Sequence, residues 1–359
     1  IISAGVLLFS LQAALSQEPI NCKPVHLTCD HLVAPLGVDN STPRLSWQLR
    51  DKRQGARQTA YQIIVGDDSL EVVNNKGKIW DSGKQHSEQM LVTYAGKELR
   101  PFTKYYWKVR AWDKDWVEVS SCVSTFETGM MKMSNWQGAW IGDGRDIHYR
   151  PAPYFRKVFE ANKKIKSARA YIAVAGLYEL YINGEKIGNH CLDPLYTRFD
   201  RRNFYVTYDV TSQLKEGRNA IGVLLGNGWY NHQSMGVWDF HRAPWRNRPT
   251  FCMDLRITYK DGTIEVIPTE RDWKTSSGAL VFNSIYTAEH YDARLEYGRL
   301  RRFKMAWSGL QSSSFAKCSI TASTTYTSCR HPYCKIMETI ERHDIRIRFR
   351  TEYGRSYSY

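Results

Sequence analysis

The dipeptide Asn183-Gly184 constrains the fold of this chain more than any other pair of residues in it. It tolerates the two positive φ angles of a type I′ turn, the tight reversal whose twist matches that of its flanking strands. Just before it, Tyr178, Leu180 and Ile182 alternate with Glu179 and Tyr181, the period of two expected of a half-buried strand. A hairpin with a short return strand is therefore expected, followed by an exit through Leu192-Asp193-Pro194. The whole stretch 171–230 reads as strands with aromatic residues at a rim, and it carries no nucleophile or metal cluster.

The same period organises the rest of the second unit, 136–296. Strands are expected at 169–175, 204–210, 220–225, 252–259 and 263–267, the last two joined by a hairpin turn at Asp261-Gly262. Two long loops, 193–202 and 229–249, interrupt this unit, and loops of that length in a compact domain usually carry function. The first unit, 20–129, also reads as a small sandwich. Tyr105, Trp107, Val109 and Ala111 point one way, and Tyr106, Lys108, Arg110 and Trp112 the other. Leu99-Arg100-Pro101 ahead of Tyr105 suits a corner in which a tyrosine hydroxyl ties back to the backbone. The expected class is all-β: a fibronectin type III-like sandwich, then a jelly-roll, lectin-like sandwich, then an irregular tail.

Charge separates the tail from the body. Residues 297–359 hold 12 Lys+Arg against 4 Asp+Glu, a surplus of 8 within the formal net charge of +14. Subtraction from the totals of 50 and 36 leaves 38 against 32, so the body is only mildly basic and a nucleic-acid partner is not expected. The tail is also rich in Ser and Thr, with an isolated alternation at Ile345, Ile347 and Phe349. This break implies that residues from Tyr297 onward are translated out of frame or otherwise non-native. Cys318, Cys329, His331, Cys334 and His343 match no usual zinc spacing, and no metal or other cofactor is expected.

Residues 1–16 have the apolar core and small-residue end of a secretory signal peptide, cleaved before Gln17 and lacking its true start. The stretch is too short to span a bilayer, so export to a periplasmic or extracellular space is expected. Cys22 and Cys29 are near enough in sequence to bridge in an oxidising compartment. Cys122, Cys191 and Cys252 sit singly in strand-like context, where buried thiols are expected.

Several motifs in register resemble bacterial α-L-rhamnosidases. In the first unit these are Pro35-Leu36-Gly37-Val38, Pro43-Arg44-Leu45-Ser46-Trp47, Gln58-Thr59-Ala60-Tyr61 and Trp80-Asp81-Ser82-Gly83. In the second they are Gly176-Leu177-Tyr178-Glu179-Leu180-Tyr181-Ile182-Asn183-Gly184, Tyr208-Asp209-Val210-Thr211, Gly226-Asn227-Gly228-Trp229-Tyr230 and Glu289-His290-Tyr291-Asp292-Ala293-Arg294. The resemblance covers about 25–296 and stops at Glu296. It implies the fibronectin-like and lectin-like N-terminal domains of a glycoside hydrolase acting on terminal α-L-rhamnosides. In that family the catalytic glutamates lie in a large (α/α)₆ barrel further along, so this chain alone is expected to be inactive. Family members are inverting enzymes that need two carboxyls about 6.5–9.5 Å apart. Asp193, Asp200, Asp239, Glu289 and Asp292 are read as turn or ion-pair residues instead, with Glu289, Asp292 and Arg294 forming a corner.

The expected partner is a rhamnose-containing glycan or glycoside, with the missing barrel as an intramolecular partner. Tyr196, Trp229, Tyr230, Trp238 and Trp245 can stack on pyranose faces, while Arg198, Asp200, Asn231 and His241 can hydrogen-bond hydroxyls. The competing reading is that several of these fill the core beneath the loops. Two other functions fit the same residues: a complete secreted carbohydrate-binding or adhesion protein, and a polyanion binder acting through the basic tail.

Overall fold

A computed structural model describes residues 22–236 and 238–296, together with the backbone at 316–317, 319–320, 326–328 and 334–335. The signal-peptide reading, the cysteine and histidine side chains of the tail and the alternation at Ile345–Phe349 lie outside the described residues. The chain divides into two units, Ile1–Met131 and Lys132–Tyr359.

In the first unit, strands β1 (Lys23–Cys29), β2 (Arg44–Arg50), β3 (Ala60–Gly66), β4 (Trp80–Asp81), β5 (Leu91–Thr93), β6 (Lys104–Trp112), β7 (Glu118–Ser120) and β8 (Ser124–Glu127) form two sheets. One has the order β1-β2-β5. The other has the order β4-β3-β6-β7, with β8 also on β6. Tyr105, Trp107, Val109 and Ala111 are all buried, on the face that the alternation assigns to the core. They pack with Leu45, Trp47, Ile63 and Phe126. The Arg100 backbone N–H donates to the Tyr105 hydroxyl at 2.8 Å, which makes the expected tyrosine corner.

The cysteines depart from expectation. Cys22 and Cys29 are both buried free thiols at opposite ends of β1. Seven residues of strand span roughly 23 Å, far beyond the ~7 Å limit between bridged α-carbons. Burial also pushes the Cys22 thiol up to about 11. Cys252 is fully buried as expected, but Cys191 is only partly covered and Cys122 is exposed, with the Lys23 ammonium 3.5 Å from its sulfur.

The second unit is a two-sheet sandwich. Its strands are β9 (Ile141–Gly142), β10 (Pro153–Ala161), β11 (Ile165–Ala175), β12 (Leu177–Ile182), β13 (Glu185–Lys186), β14 (His190–Cys191), β15 (Asn203–Asp209), β16 (Gly217–Gly226), β17 (Thr250–Tyr259), β18 (Ile264–Pro268), β19 (Lys274–Ser277), β20 (Leu280–Ser284) and β21 (Ala288–Tyr291). Short pieces β22 (Ala316–Lys317), β23 (Ser319–Ile320), β24 (Tyr326–Ser328) and β25 (Cys334–Lys335) pair with its edges. One sheet runs β13-β12-β16-β10-β19-β22. The other runs β23-β9-β17-β11-β15-β24, with β18 on β17. Between them lies an apolar core in which Phe155, Phe251 and Trp273 meet edge to face, at 5.0 and 5.4 Å between centroids. Asn183 and Gly184 take φ of 52° and 82°, so the β12–β13 hairpin turns as its sequence requires.

Register gathers the long loops at one end. Ala175 faces Thr250, Ala173 faces Tyr205, Leu177 faces Gly226 and Pro153 faces Ser277. The chain before β10, the loop before β15, the 227–249 loop and the β20–β21 hairpin therefore all leave from the same rim.

Candidate functional site

Two glycines allow the rim to close. Gly176, at φ 128°, lies so near Gly226 that a Cβ on it would sit 2.5 Å from the Gly226 carbonyl oxygen. Gly228, at φ 51°, comes back over Leu177. This backbone contact turns the chain after β16 inward and delivers Trp229 to the middle of an aromatic cluster.

Trp229 is half-buried. Its ring lies 5.0 Å from Phe240, 5.4 Å from Tyr286, 6.1 Å from His232 and 6.3 Å from Tyr196. Tyr196 is 45% exposed and also meets Phe199 and Phe240 edge to face. Tyr286 is exposed as well, so the cluster keeps an apolar face open to solvent. Trp245 joins it through Phe240 at 6.4 Å and carries the Arg198 guanidinium 5.7 Å above its ring. Arg198 in turn pairs with Asp200 at 2.9 Å on the exposed side.

Not every residue chosen from sequence faces outward. Asn231 is completely buried, and both of its polar atoms are engaged. Its amide nitrogen donates to the Ile147 carbonyl and to Asn227 Oδ1, each at 3.2 Å, and its oxygen accepts from Arg246 Nε at 3.1 Å. It is a hub of the loop, and its hydrogen-bonding groups are spent on protein. Tyr230 packs edge to face on Phe199 at 5.1 Å, and burial pushes its hydroxyl pKa up despite a hydrogen bond to Thr250. Tyr230 therefore supports the loop from beneath. Trp238 is 75% exposed and has no ring partner among the described residues. The His241 side chain is mostly covered, 3.9 Å from Asp239, and its Nδ1 is buried with no hydrogen-bond partner.

His232, which sequence reasoning did not single out, is 1% exposed, with Nδ1 also lacking a partner. Burial lowers its pKa, assisted by the nearby His241 and Arg246, so the ring is held neutral.

Asp193 and Asp292 are committed to structure, whereas Glu289 is exposed and has no ion-pair partner among the described residues. Asp193 is buried, with His190 Nδ1 at 2.9 Å and the Tyr208 hydroxyl at 3.4 Å. Asp292 caps a short turn and pairs with Arg294 at 2.7 Å, so that part of the corner forms as expected. A general acid needs a raised pKa. Among the described carboxyls with a resolved shift, the one raised is Asp254, pushed up to about 6 by burial. It accepts the backbone N–H groups of Gln137 and Gly138, and it lies four residues into β17, about 13 Å from the rim.

Beside the aromatic cluster, a cleft of about 260 Å³ is lined by His148, Arg150, Gln233, Ser234, Phe282 and His290. Its signal in the sequence was weak, because these residues come from three separate segments with no shared period. Behind it stands a buried ion pair. Arg248 meets both carboxylate oxygens of Asp143, with Nη2 to Oδ2 at 2.7 Å, and the two side chains are 5% and 7% exposed. The same guanidinium donates to the carbonyls of Tyr149 (2.7 Å) and Pro151, pinning the segment that carries His148 and Arg150.

Comparison with known proteins gives this geometry a setting. Residues 24–132 match the family model described as Rha78A-like, N-terminal immunoglobulin domain. Residues 163–329 match the model described as alpha-L-rhamnosidase N-terminal domain, a match that runs past Glu296. An alpha-L-rhamnosidase of Formosa agariphila is 35% identical over 299 residues, covering 74% of this chain and 30% of the relative. The solved alpha-L-rhamnosidase from Dictyoglumus thermophilum superposes with a TM-score of 0.76 at 37% identity, over 85% of this chain and 35% of its own. The Aspergillus terreus enzyme superposes with a TM-score of 0.80 at 26% identity, over 93% and 38%. The chain thus spans about a third of the length of the relatives it matches.

Proposed function

Since this chain carries the two N-terminal domains of the α-L-rhamnosidase family, we propose that it is the non-catalytic, substrate-recognising portion of an exported enzyme of that kind. The observation that carries this reading is the half-open cluster around Trp229. Tyr196 and Tyr286 offer apolar faces for the C–H bonds of a sugar ring, and Arg198 and Asp200 stand at its edge for hydroxyls. At the rim Asp193, Asp200 and Asp292 are held in a buried hydrogen bond, an ion pair and a capped turn, which supports recognition over hydrolysis. The expected ligand is a terminal α-L-rhamnoside. A catalytic (α/α)₆ barrel supplied by the longer protein would perform the hydrolysis, with this sandwich as its support.

Titration of the full chain with L-rhamnose, followed by tryptophan fluorescence, tests the reading. Binding in the millimolar range is expected, together with its loss in Trp229→Ala and in Tyr196→Ala. No saturable response in the wild type would refute the recognition role. Turnover of an aryl α-L-rhamnoside by this chain alone would refute the non-catalytic assignment.

A further inference from the structure

The cleft beside the aromatic cluster shares none of its lining residues with that cluster and has a different chemistry. Arg150 is exposed at its mouth, with its guanidinium carbon 5.9 Å from the Phe282 ring. Among the described residues no carboxylate pairs with Arg150, and no Asp or Glu lines the cleft. This is a permanent cation in a concave site with no counter-charge of its own. Two other exposed arginines of the same unit are paired, Arg198 with Asp200 and Arg294 with Asp292, and what sets Arg150 apart is its place on the wall of a cleft.

The remaining walls are those of a hydroxyl-rich ligand. Gln233, on the cleft wall, holds its amide nitrogen 3.5 Å from the Ile147 and Tyr149 carbonyls, which leaves its oxygen as a free acceptor among the described residues. Ser234 adds a hydroxyl, 3.4 Å from His232 Nε2. The imidazoles of His148 and His290 make no hydrogen bond among the described residues, and His290 packs on Phe282 at 5.1 Å. Phe282 supplies the apolar wall. A simple inorganic anion would use the arginine alone, whereas a sugar acid uses every wall.

The site is also held in shape before anything binds. Arg248 pins the carbonyls of Tyr149 and Pro151 on either side of Arg150. Asn283, next to Phe282, is buried and locked to Asn227 by two hydrogen bonds of 2.6 and 2.9 Å. Such fixing reduces the ordering cost of binding.

We propose that this cleft binds a carboxylated monosaccharide unit, a uronate, with its carboxylate on Arg150, its ring against Phe282 and its hydroxyls on Gln233, Ser234 and the two histidines. The glycan recognised by this unit would then present an acidic sugar as well as the neutral one assigned to the Trp229 cluster. This assignment is independent of that reading, because each ligand is tested on separate residues.

The experiment is calorimetric or NMR titration of the full chain with D-glucuronate, L-rhamnose and acetate. D-glucuronate is expected to bind more tightly than acetate. Arg150→Gln should weaken D-glucuronate about tenfold or more, the scale of a lost charge-assisted hydrogen bond. Phe282→Leu should weaken D-glucuronate and leave acetate unchanged. Both substitutions are at partly or fully exposed positions, and an unchanged circular dichroism spectrum verifies folding. Equal affinity for acetate and D-glucuronate, or an Arg150→Gln protein that binds D-glucuronate as well as the wild type, would overturn the proposal. Loss of D-glucuronate binding with L-rhamnose binding intact marks the cleft alone, and failure of L-rhamnose alone bears on the Trp229 cluster.

Discussion

Replacing Arg248 by Met should be among the most damaging single changes in the second unit. The guanidinium is 5% exposed and serves three partners at once: the Asp143 carboxylate and the carbonyls of Tyr149 and Pro151. Methionine fills part of the volume but abandons a carboxylate that is itself 7% exposed. An uncompensated buried charge costs about 3–5 kcal/mol. Against a urea slope of roughly 2 kcal/mol per molar, that moves the unfolding midpoint of this unit down by about 2 M. The companion change separates charge from packing. Asp143→Leu combined with Arg248→Met removes both charges, and a buried ion pair replaced by apolar groups is often close to neutral. The double variant should therefore recover at least half of the loss, a coupling of about 2 kcal/mol or more. Urea titration of the full chain, followed by circular dichroism and tryptophan fluorescence, measures all four corners of the cycle. A loss below about 1 kcal/mol in Arg248→Met, or a double variant no better than the single, would refute the clamp.

Three further outcomes are expected. Burial raises the Asp254 pKa from 3.8 to about 6, so the folded state binds this proton more tightly than the unfolded state does. Its stability contribution is then full below about pH 4 and is lost as pH rises through 6, a swing of about 3 kcal/mol. Unfolding free energies of wild type and Asp254→Asn should accordingly shift against each other by that order between pH 4 and pH 7, and parallel profiles would count against it. Tyr105→Phe deletes the acceptor of the Arg100 N–H and should destabilise the first unit by about 1–3 kcal/mol in a thermal melt. Gly176→Ala places a Cβ 2.5 Å from the Gly226 carbonyl oxygen at φ 128°, and should cost more than about 1 kcal/mol while disturbing the Trp229 fluorescence that reports the rim.

Local pattern carried the sheets well. The β12–β13 turn follows from two residues that accept positive φ, and the buried face of β6 follows from strict alternation. The all-β class and the tyrosine corner were equally legible, because each depends on neighbours within a few residues. The site was less so, since loops have no period to say which side is covered. Tyr196 meets Trp229 and Phe240 only because the register of β11 with β15 and β17, and of β12 with β16, brings two distant loops to one rim. Asn231 looked like a rim residue, and it is buried, with Tyr230 partly covered on Phe199, by contacts that sequence spacing does not encode. The cleft was missed for the same reason, as His148, Gln233 and His290 become neighbours only in the folded chain. Cys22 and Cys29 mislead in the opposite way: nearness in sequence becomes distance once the chain between them is extended.

The end of the second sandwich opposite the rim is built from short reversals, among them Asn183-Gly184 and the turn holding Gly262. Ten-residue β17 sets the Gly262 turn some 30 Å from Thr250, where the loops begin. That distance makes the turn end a handle. A peptide tag or surface tether inserted beside Gly262 would hold the second unit by its turn end, at the far end from the aromatic cluster and the cleft. On an immobilised-protein sensor the two ligands could then be read without the support masking either one.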